Sequence, residues 1–289
     1  RAIALNTGGR YDPVSDTWRA MEVSGAPLGR SLHSMVWSGT EVLIYGGRTN
    51  ILQTSAFTGQ ANGARYQPET DTWSSLSSVE APAARYAALA AWTGREFIVW
   101  GGNGTNASGI IQPLTTGARY NPILNVWTPM ADNPALSLAN PVGVWADRSF
   151  LVWNRQAGSA YSPETDRWTP IAGSGPVSAT MQNVAWTGKE MLVWSLRTVA
   201  GSPPGSRYAP ATDGWRPMGG DNLPRFLRET PGVWTGEKLL AFGVVGTGTG
   251  LNTPTTALVS YSLTRPLSLY RYAGGTPRAA GLAAPGDDR

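Results

Sequence analysis

Chemistry in this chain would have to come from carboxylates, guanidinium groups and aromatic rings. The 289 residues include one His, His33, and no Cys. That excludes disulfides, thiolate metal ligands, a cysteine nucleophile and any site built from two or more imidazoles. A zinc site would need carboxylates for nearly all its ligands, so no metal or cofactor is expected. A Ser-His-Asp triad would rest on His33 alone, and no such set stands out. Gly243 to Gly250 follows one strand and precedes another, so it is not a phosphate-binding loop between strand and helix.

Two polar sets recur instead. Asp16, Asp71, Asn125, Asp166 and Asp213 each stand two residues before a Trp. Their repetition favours a structural acceptor of the Asx-turn kind over a catalytic carboxylate. Arg10, Arg65, Arg119 and Arg207 each precede a Tyr, and Ala160 and Ser260 break that series. Repetition again points to structure, through stacking on a Trp or bonding of loop carbonyls. A third group is less regular. Arg30 and Arg85 lie seven residues before Trp37 and Trp92, and Arg228 lies six before Trp234. Guanidinium groups converging at one place repel unless an anion neutralises them, and together they could clamp a carboxylate. Alternatively, each pairs locally with a loop carbonyl or carboxylate. With Arg48, at the head of the first long connection, they form the candidate ligand-binding set: Arg30, Arg85, Arg228 and Arg48. No catalytic residue is expected.

The elements that would position these residues are set by a repeat. Tyr11-Asp-Pro-Val-Ser-Asp16-Thr-Trp18 returns as Tyr66 to Trp73, Tyr120 to Trp127, Tyr161 to Trp168 and Tyr208 to Trp215. Pro13, Pro68, Pro122, Pro163 and Pro210 hold the third place and preset a turn. A worn copy begins at Tyr261, with Leu263 for Pro and Ser268 for Trp. A second module interleaves: Val36-Trp37-Ser-Gly-Thr-Glu-Val-Leu-Ile-Tyr45-Gly46-Gly47, then Trp92 to Gly102, then looser forms from Trp145, Trp186 and Trp234. A Gly-centred polar step between two apolar runs is a hairpin signal.

Spacings of 41 to 55 residues between the module Trps fit a blade of four short strands. In the first blade, strand a is Ser31 to Trp37 and strand b is Glu41 to Tyr45. Strand c runs through Ala64 to Tyr66, and strand d starts near Trp73. All 13 Trps fall on repeat positions, which favours packing between blades, indole N–H on a backbone carbonyl, over sugar stacking.

The sequence therefore predicts an all-β propeller over residues 1–272, with five complete four-stranded blades. Residues 1–20 supply only strands c and d of a partial blade. The parent ring is expected to have six blades or more, and residues 273–289 read as a Gly-, Ala- and Pro-rich tail. Strand b to strand c connections vary in length: Arg48 to Gly63, Asn103 to Gly117 and Gly243 to Thr256 are long, and Asn154 to Ser159 is short. Variable loops on a constant scaffold carry recognition, so the long ones should gather on one rim.

Composition narrows the partners. Apolar residues are 41% and charged residues 15%, which is too apolar and too weakly charged for a disordered chain. No apolar run reaches the length of a membrane span, about 18 residues. The net charge is +4, and every basic residue except Lys189 and Lys238 is Arg. These Arg residues are dispersed, without a stripe or motif, so nucleic acid is not an expected partner.

The order Arg30…His33, Gly46-Gly47, Tyr66…Trp73 resembles a kelch repeat. The resemblance spans residues 1 to about 272 and is most specific in the first two full blades. Asn154-Arg155 and Ser195-Leu196 stand where the pattern has Gly-Gly. The Trp-Thr-Gly wording is similar to prokaryotic kelch proteins grouped with the central domain of galactose oxidase. That resemblance implies a propeller, with His33 as part of strand a. Galactose oxidase activity does not carry over, because its copper ligands and Tyr–Cys crosslink have no counterparts here. The expected function is a non-catalytic module that recognises a protein or peptide through the long-loop rim. The alternatives are a carbohydrate-directed propeller, by acidic-glycan binding or sialic-acid mutarotase-like activity, and a structural domain of a larger protein. The compartment is left open, with a secreted or cell-surface setting favoured.

Overall fold

In the computed structural model the chain is all-β. The structure describes residues 4–49, 59–136, 141–173, 175, 182–195, 205–218, 225–226, 232–246, 255–262 and 268–271. Short alternating segments punctuated by Gly and Pro give strands of mostly three to five residues, and the strands sort into antiparallel four-stranded sheets. The partial blade is β1 (Gly9–Asp12) and β2 (Thr17–Ala20). The first full blade is β3 (Ser34–Trp37), β4 (Val42–Tyr45), β5 (Gly63–Gln67) and β6 (Thr72–Ser75). The second is β7 (Leu89–Trp92), β8 (Phe97–Trp100), β11 (Gly117–Asn121) and β12 (Val126–Pro129). Its long connection forms a separate hairpin, β9 (Asn103–Thr105) and β10 (Ile111–Pro113).

The third blade is β13 (Val142–Ala146), β14 (Ser149–Trp153), β15 (Gly158–Ser162) and β16 (Arg167–Ile171). The fourth is β17 (Gln182–Trp186), β18 (Met191–Ser195), β19 (Gly205–Ala209) and β20 (Gly214–Pro217). The fifth sheet holds β21 (Arg225–Phe226), β22 (Gly232–Trp234), β23 (Lys238–Gly246), β24 (Thr255–Ser262) and β25 (Ser268–Arg271). Both β21 and β22 pair with β23. Each sheet follows chain order, and the first strands β3, β7, β13, β17 and β22 stand side by side from blade to blade. These are propeller blades. Among the described residues no helix is long and apolar enough to cross a membrane. The tail at 273–289 lies outside the described residues.

The core lies between blades, in successive layers. Leu43 and Tyr45 of the first blade meet Phe97, Val99, Tyr120 and Trp127 of the second. Ile98 and Trp100 of the second then meet Phe150, Val152 and Tyr161 of the third. Strand b is buried on both faces and reads as a continuous apolar run, while strand d is mostly exposed.

The repeat Tyr, Asp and Trp hold neighbouring blades together. Tyr66 Oη donates to Asp71 Oδ1 at 2.6 Å, and the pairs Tyr11–Asp16, Tyr120–Asn125, Tyr161–Asp166 and Tyr208–Asp213 do the same. The same Oδ1 accepts the backbone N–H of a residue in the preceding blade: Glu22 to Asp71, Ser77 to Asn125, Ala131 to Asp166, Ala172 to Asp213. The Trp two residues on then donates Nε1 to the carbonyl of that same residue: Trp73 to Glu22, Trp127 to Ser77, Trp168 to Ala131, Trp215 to Ala172. One residue of the preceding blade is thus clamped at both its backbone N–H and its backbone carbonyl.

This corrects the expectation of an Asx turn at the Asp position. Asp16, Asp71, Asn125, Asp166 and Asp213 take left-handed backbone angles, φ 44 to 55°, and all but Asp16 aim an oxygen at the neighbouring blade. The Asx acceptors are instead Asp12 and Asn121, directly after the Tyr, which accept from Val14 and Ile123. Asp and Asn tolerate left-handed φ better than most residues, so one side chain meets both demands. Indole N–H on a backbone carbonyl is as expected for Trp73, Trp127, Trp168 and Trp215, whereas Trp186 donates to Asp147 Oδ1 and the buried Nε1 of Trp100, Trp194 and Trp234 has no partner among the described residues. Trp127 is 4% exposed, and Trp73 and Trp168 are half-buried. Trp18, with no described blade before it, is 71% exposed.

Candidate functional site

The loop rim is built around Arg30 and Arg85. Each lies just before strand a of its blade, and each is buried, Arg85 to 1% exposure. Arg85 Nε donates to Ala83 O at 2.9 Å, Nη1 to Gly101 O at 3.1 Å and Thr116 O at 2.7 Å, and Nη2 to Thr116 Oγ1 at 3.1 Å. Arg30 repeats the pattern on Leu28 O, Gly46 O and Asn62, through both its O and Oδ1. Among the described residues neither is ion-paired to a carboxylate, and burial lowers the Arg85 pKa to about 10. The local pairing with loop carbonyls is therefore the geometry seen for Arg30 and Arg85. The guanidinium fork spans the end of strand b and the start of strand c, and so fixes both ends of the long connection.

The Gly-Gly pairs belong to the same device. Gly46 and Gly47 take φ of 70° and 90°, and a Cβ on Gly46 would stand 2.6 Å from Arg85 O. Gly47 N–H donates to Arg85 O, tying the first blade's loop to the second blade's entry. Bridges Ser31–Arg48, Arg48–Gly59, Gln60–Arg85 and Tyr86–Asn103 continue this lacing. Strand a entries and strand b to c connections of the first two blades therefore share one rim.

Arg48 stands on that rim with its guanidinium 5.6 Å from the Tyr86 ring centroid, in cation–π geometry. Arg228 lies outside the described residues. His33, just before β3, is half-buried, and burial with Arg30 nearby lowers its pKa, so it is neutral at pH 7. Among the described residues no group of three His, Asp or Glu could hold a metal ion.

Sequence reasoning missed three features. The β9–β10 hairpin carries Ile110 and Ile111 at its tip, 62% and 40% exposed. Its turn is closed by Asn106, whose Oδ1 accepts from the backbone of Ser108 and Ile110. The missed signal was two adjacent β-branched apolar residues inside a Gly- and Asn-rich loop. A second omission is the acid partner of the strand c Arg. Glu41 pairs with Arg65 at 3.0 Å, Glu96 with Arg119 at 2.9 Å and Glu190 with Arg207 at 3.5 Å. Each Glu lies four residues after the module Trp. Arg10, with no strand b beside it, pairs with Asp71 instead, and also bonds Pro68 O. The third is Gln67, whose Oε1 is buried without a hydrogen-bond partner.

No protein-family model matches the chain, and no curated protein matches it.

Proposed function

We propose that this chain is a kelch-type propeller that recognises a protein or peptide partner through its loop rim. The observation that carries the reading is the Ile110–Ile111 tip. Two large apolar side chains stand in solvent on a hairpin whose base is bonded to the scaffold: Asn103 exchanges backbone bonds with Tyr86, and Leu114 N–H donates to Gly102 O. Exposed apolar groups on an ordered loop cost solvation and gain nothing within the chain. They fit an anchor that fills a pocket on a partner. Because the loop is already ordered, binding loses little conformational entropy.

The test is selection of peptides from a displayed random library on the intact chain, followed by binding to an Ile110→Ser, Ile111→Ser variant. The selected peptides should lose about tenfold or more in affinity on the variant, since two buried apolar anchors are removed. Equal binding by both proteins would overturn the reading. A glycan array on the wild-type chain tests the carbohydrate alternative. Acidic glycans that bind in an Arg48-dependent way, without peptide selection, would replace it.

A further inference from the structure

We infer that the cleft between the first and second full blades, on the short-turn face opposite the loop rim, is a second binding site that takes a saccharide ring. The cleft measures about 410 Å³, within the range of small-molecule sites. Glu41, Arg65 and Gln67 line its first-blade side, and Trp92, Arg95 and the turn at Pro122 line the other. Glu41 is buried and ion-paired to Arg65, Oε2 to Nε 3.0 Å, while Arg65 Nη1 donates to Pro122 O at 2.8 Å. One guanidinium therefore bridges the two blades, and the walls are preformed.

Gln67 marks the cleft as more than a gap between blades. Its position, directly after the repeat Tyr, holds Asp12 in the partial blade and Asn121 in the second. Asp12 and Asn121 use the side-chain oxygen on their own turn. Gln67 is one methylene longer, and its Oε1 is instead buried with no partner. Oε1 lies out of reach of solvent, but Gln67 is only half-buried and lines the cleft, so turning its amide toward a ligand hydroxyl would exchange an unmade hydrogen bond for a made one. The half-buried Trp92 adds an apolar aromatic surface, and Glu41 and Arg65 add an acceptor and donors. Hydroxyls that both donate and accept, beside a C–H face, are the surface of a pyranose. The cleft opens on turns rather than a sheet edge, so it offers no ladder for an extended peptide. Arg95, exposed on the second-blade turn, would favour a ring that carries a carboxylate.

The inference does not depend on the loop rim and is tested separately. Methyl glucopyranoside and glucuronate are titrated against the whole chain, with saturation-transfer NMR as readout. Both should bind, the glucuronate more tightly. Gln67→Leu should weaken both by about tenfold, the value of one lost hydrogen bond. Arg95→Ala should abolish the preference for glucuronate and leave the neutral sugar as it was. Because Gln67 Oε1 has no partner within the protein, Gln67→Leu should keep or raise Tm. A lowered Tm would assign the amide to the turn and overturn the inference. So would equal sugar binding by Gln67→Leu and wild type, or no transfer to either sugar or to a wider panel of hexoses and uronates.

Discussion

Asp71 and Asp213 illustrate how much one acceptor carries. Each takes a Tyr hydroxyl and a backbone N–H from the preceding blade, and these bonds hold both carboxyls below the ordinary value of 3.8. A depressed folded-state pKa gives stability that is present above about pH 4 and lost as pH falls through the depressed value. Asn125 accepts the same two bonds without a charge. A double Asp71→Asn, Asp213→Asn variant should therefore fold, and its stability should fall less steeply below pH 4 than that of wild type. Urea melts across pH 2 to 6 check this, and parallel slopes would refute it. The two ends of the Trp series give a second contrast. Trp127→Ala should cost about 3–5 kcal/mol, as a large core truncation does. Trp18→Ala should cost under about 1 kcal/mol, because its ring is exposed. At this scale the sequence identified the residues that matter but misassigned the Asp. Its spacing to Trp was visible, whereas its target belongs to another repeat unit and no local pattern encodes it.

At the scale of elements, strand spans followed from the period, and the paired charges did not. The strand c Arg and strand b Glu occur together in three blades. Where Ala160 and Ser260 replace the Arg, Ser149 and Lys238 stand at the Glu position. The co-occurrence could have been read without coordinates, had strands b and c been aligned across blades. The loop anchor behaves similarly: the buried Arg and Gly-Gly go together in the first two blades, and the third has Leu138 and Asn154-Arg155. There Asn154, buried, caps the short turn through the N–H groups of Gln156 and Ala157. The loop tip at Ile110 was not legible, since loops lack a period. Arg85→Lys keeps the charge but lacks the fork, so buried carbonyls lose donors. A loss of about 2–4 kcal/mol is expected, at roughly 1–3 kcal/mol per orphaned group. Hydrogen exchange should show the loss concentrated in the second blade's long connection. Uniform loosening of the chain would show that Arg85 does not act on that loop.

Across the whole molecule, the clamps form a chain of couplings, each blade holding the one before it. The N–H groups of Glu22, Ser77, Ala131 and Ala172 are buttons along that chain. Their exchange should be slow although the residues lie near the surface, and Trp127→Phe should speed exchange at Ser77 more than within its own blade. The worn copy has Pro266 at the Asp position and Ser268 at the Trp position, so the fifth blade lacks both clamp side chains for the fourth.

Every described clamp also has an asymmetry of information. The holding side needs three particular side chains at fixed spacing. The held side contributes only the backbone N–H and carbonyl of one residue, and Glu22, Ser77, Ala131 and Ala172 have nothing in common as residue types. The sequence cost of each clamp, unlike that of the apolar layer beneath it, therefore falls on the later blade. A blade copied or inserted with its own Tyr, Asp and Trp can capture any predecessor that ends its last strand at the right place. As far as the clamp is concerned, arrays of this kind can lengthen by duplication without matched changes in the blade already present, and only the apolar layer between blades has to be fitted anew.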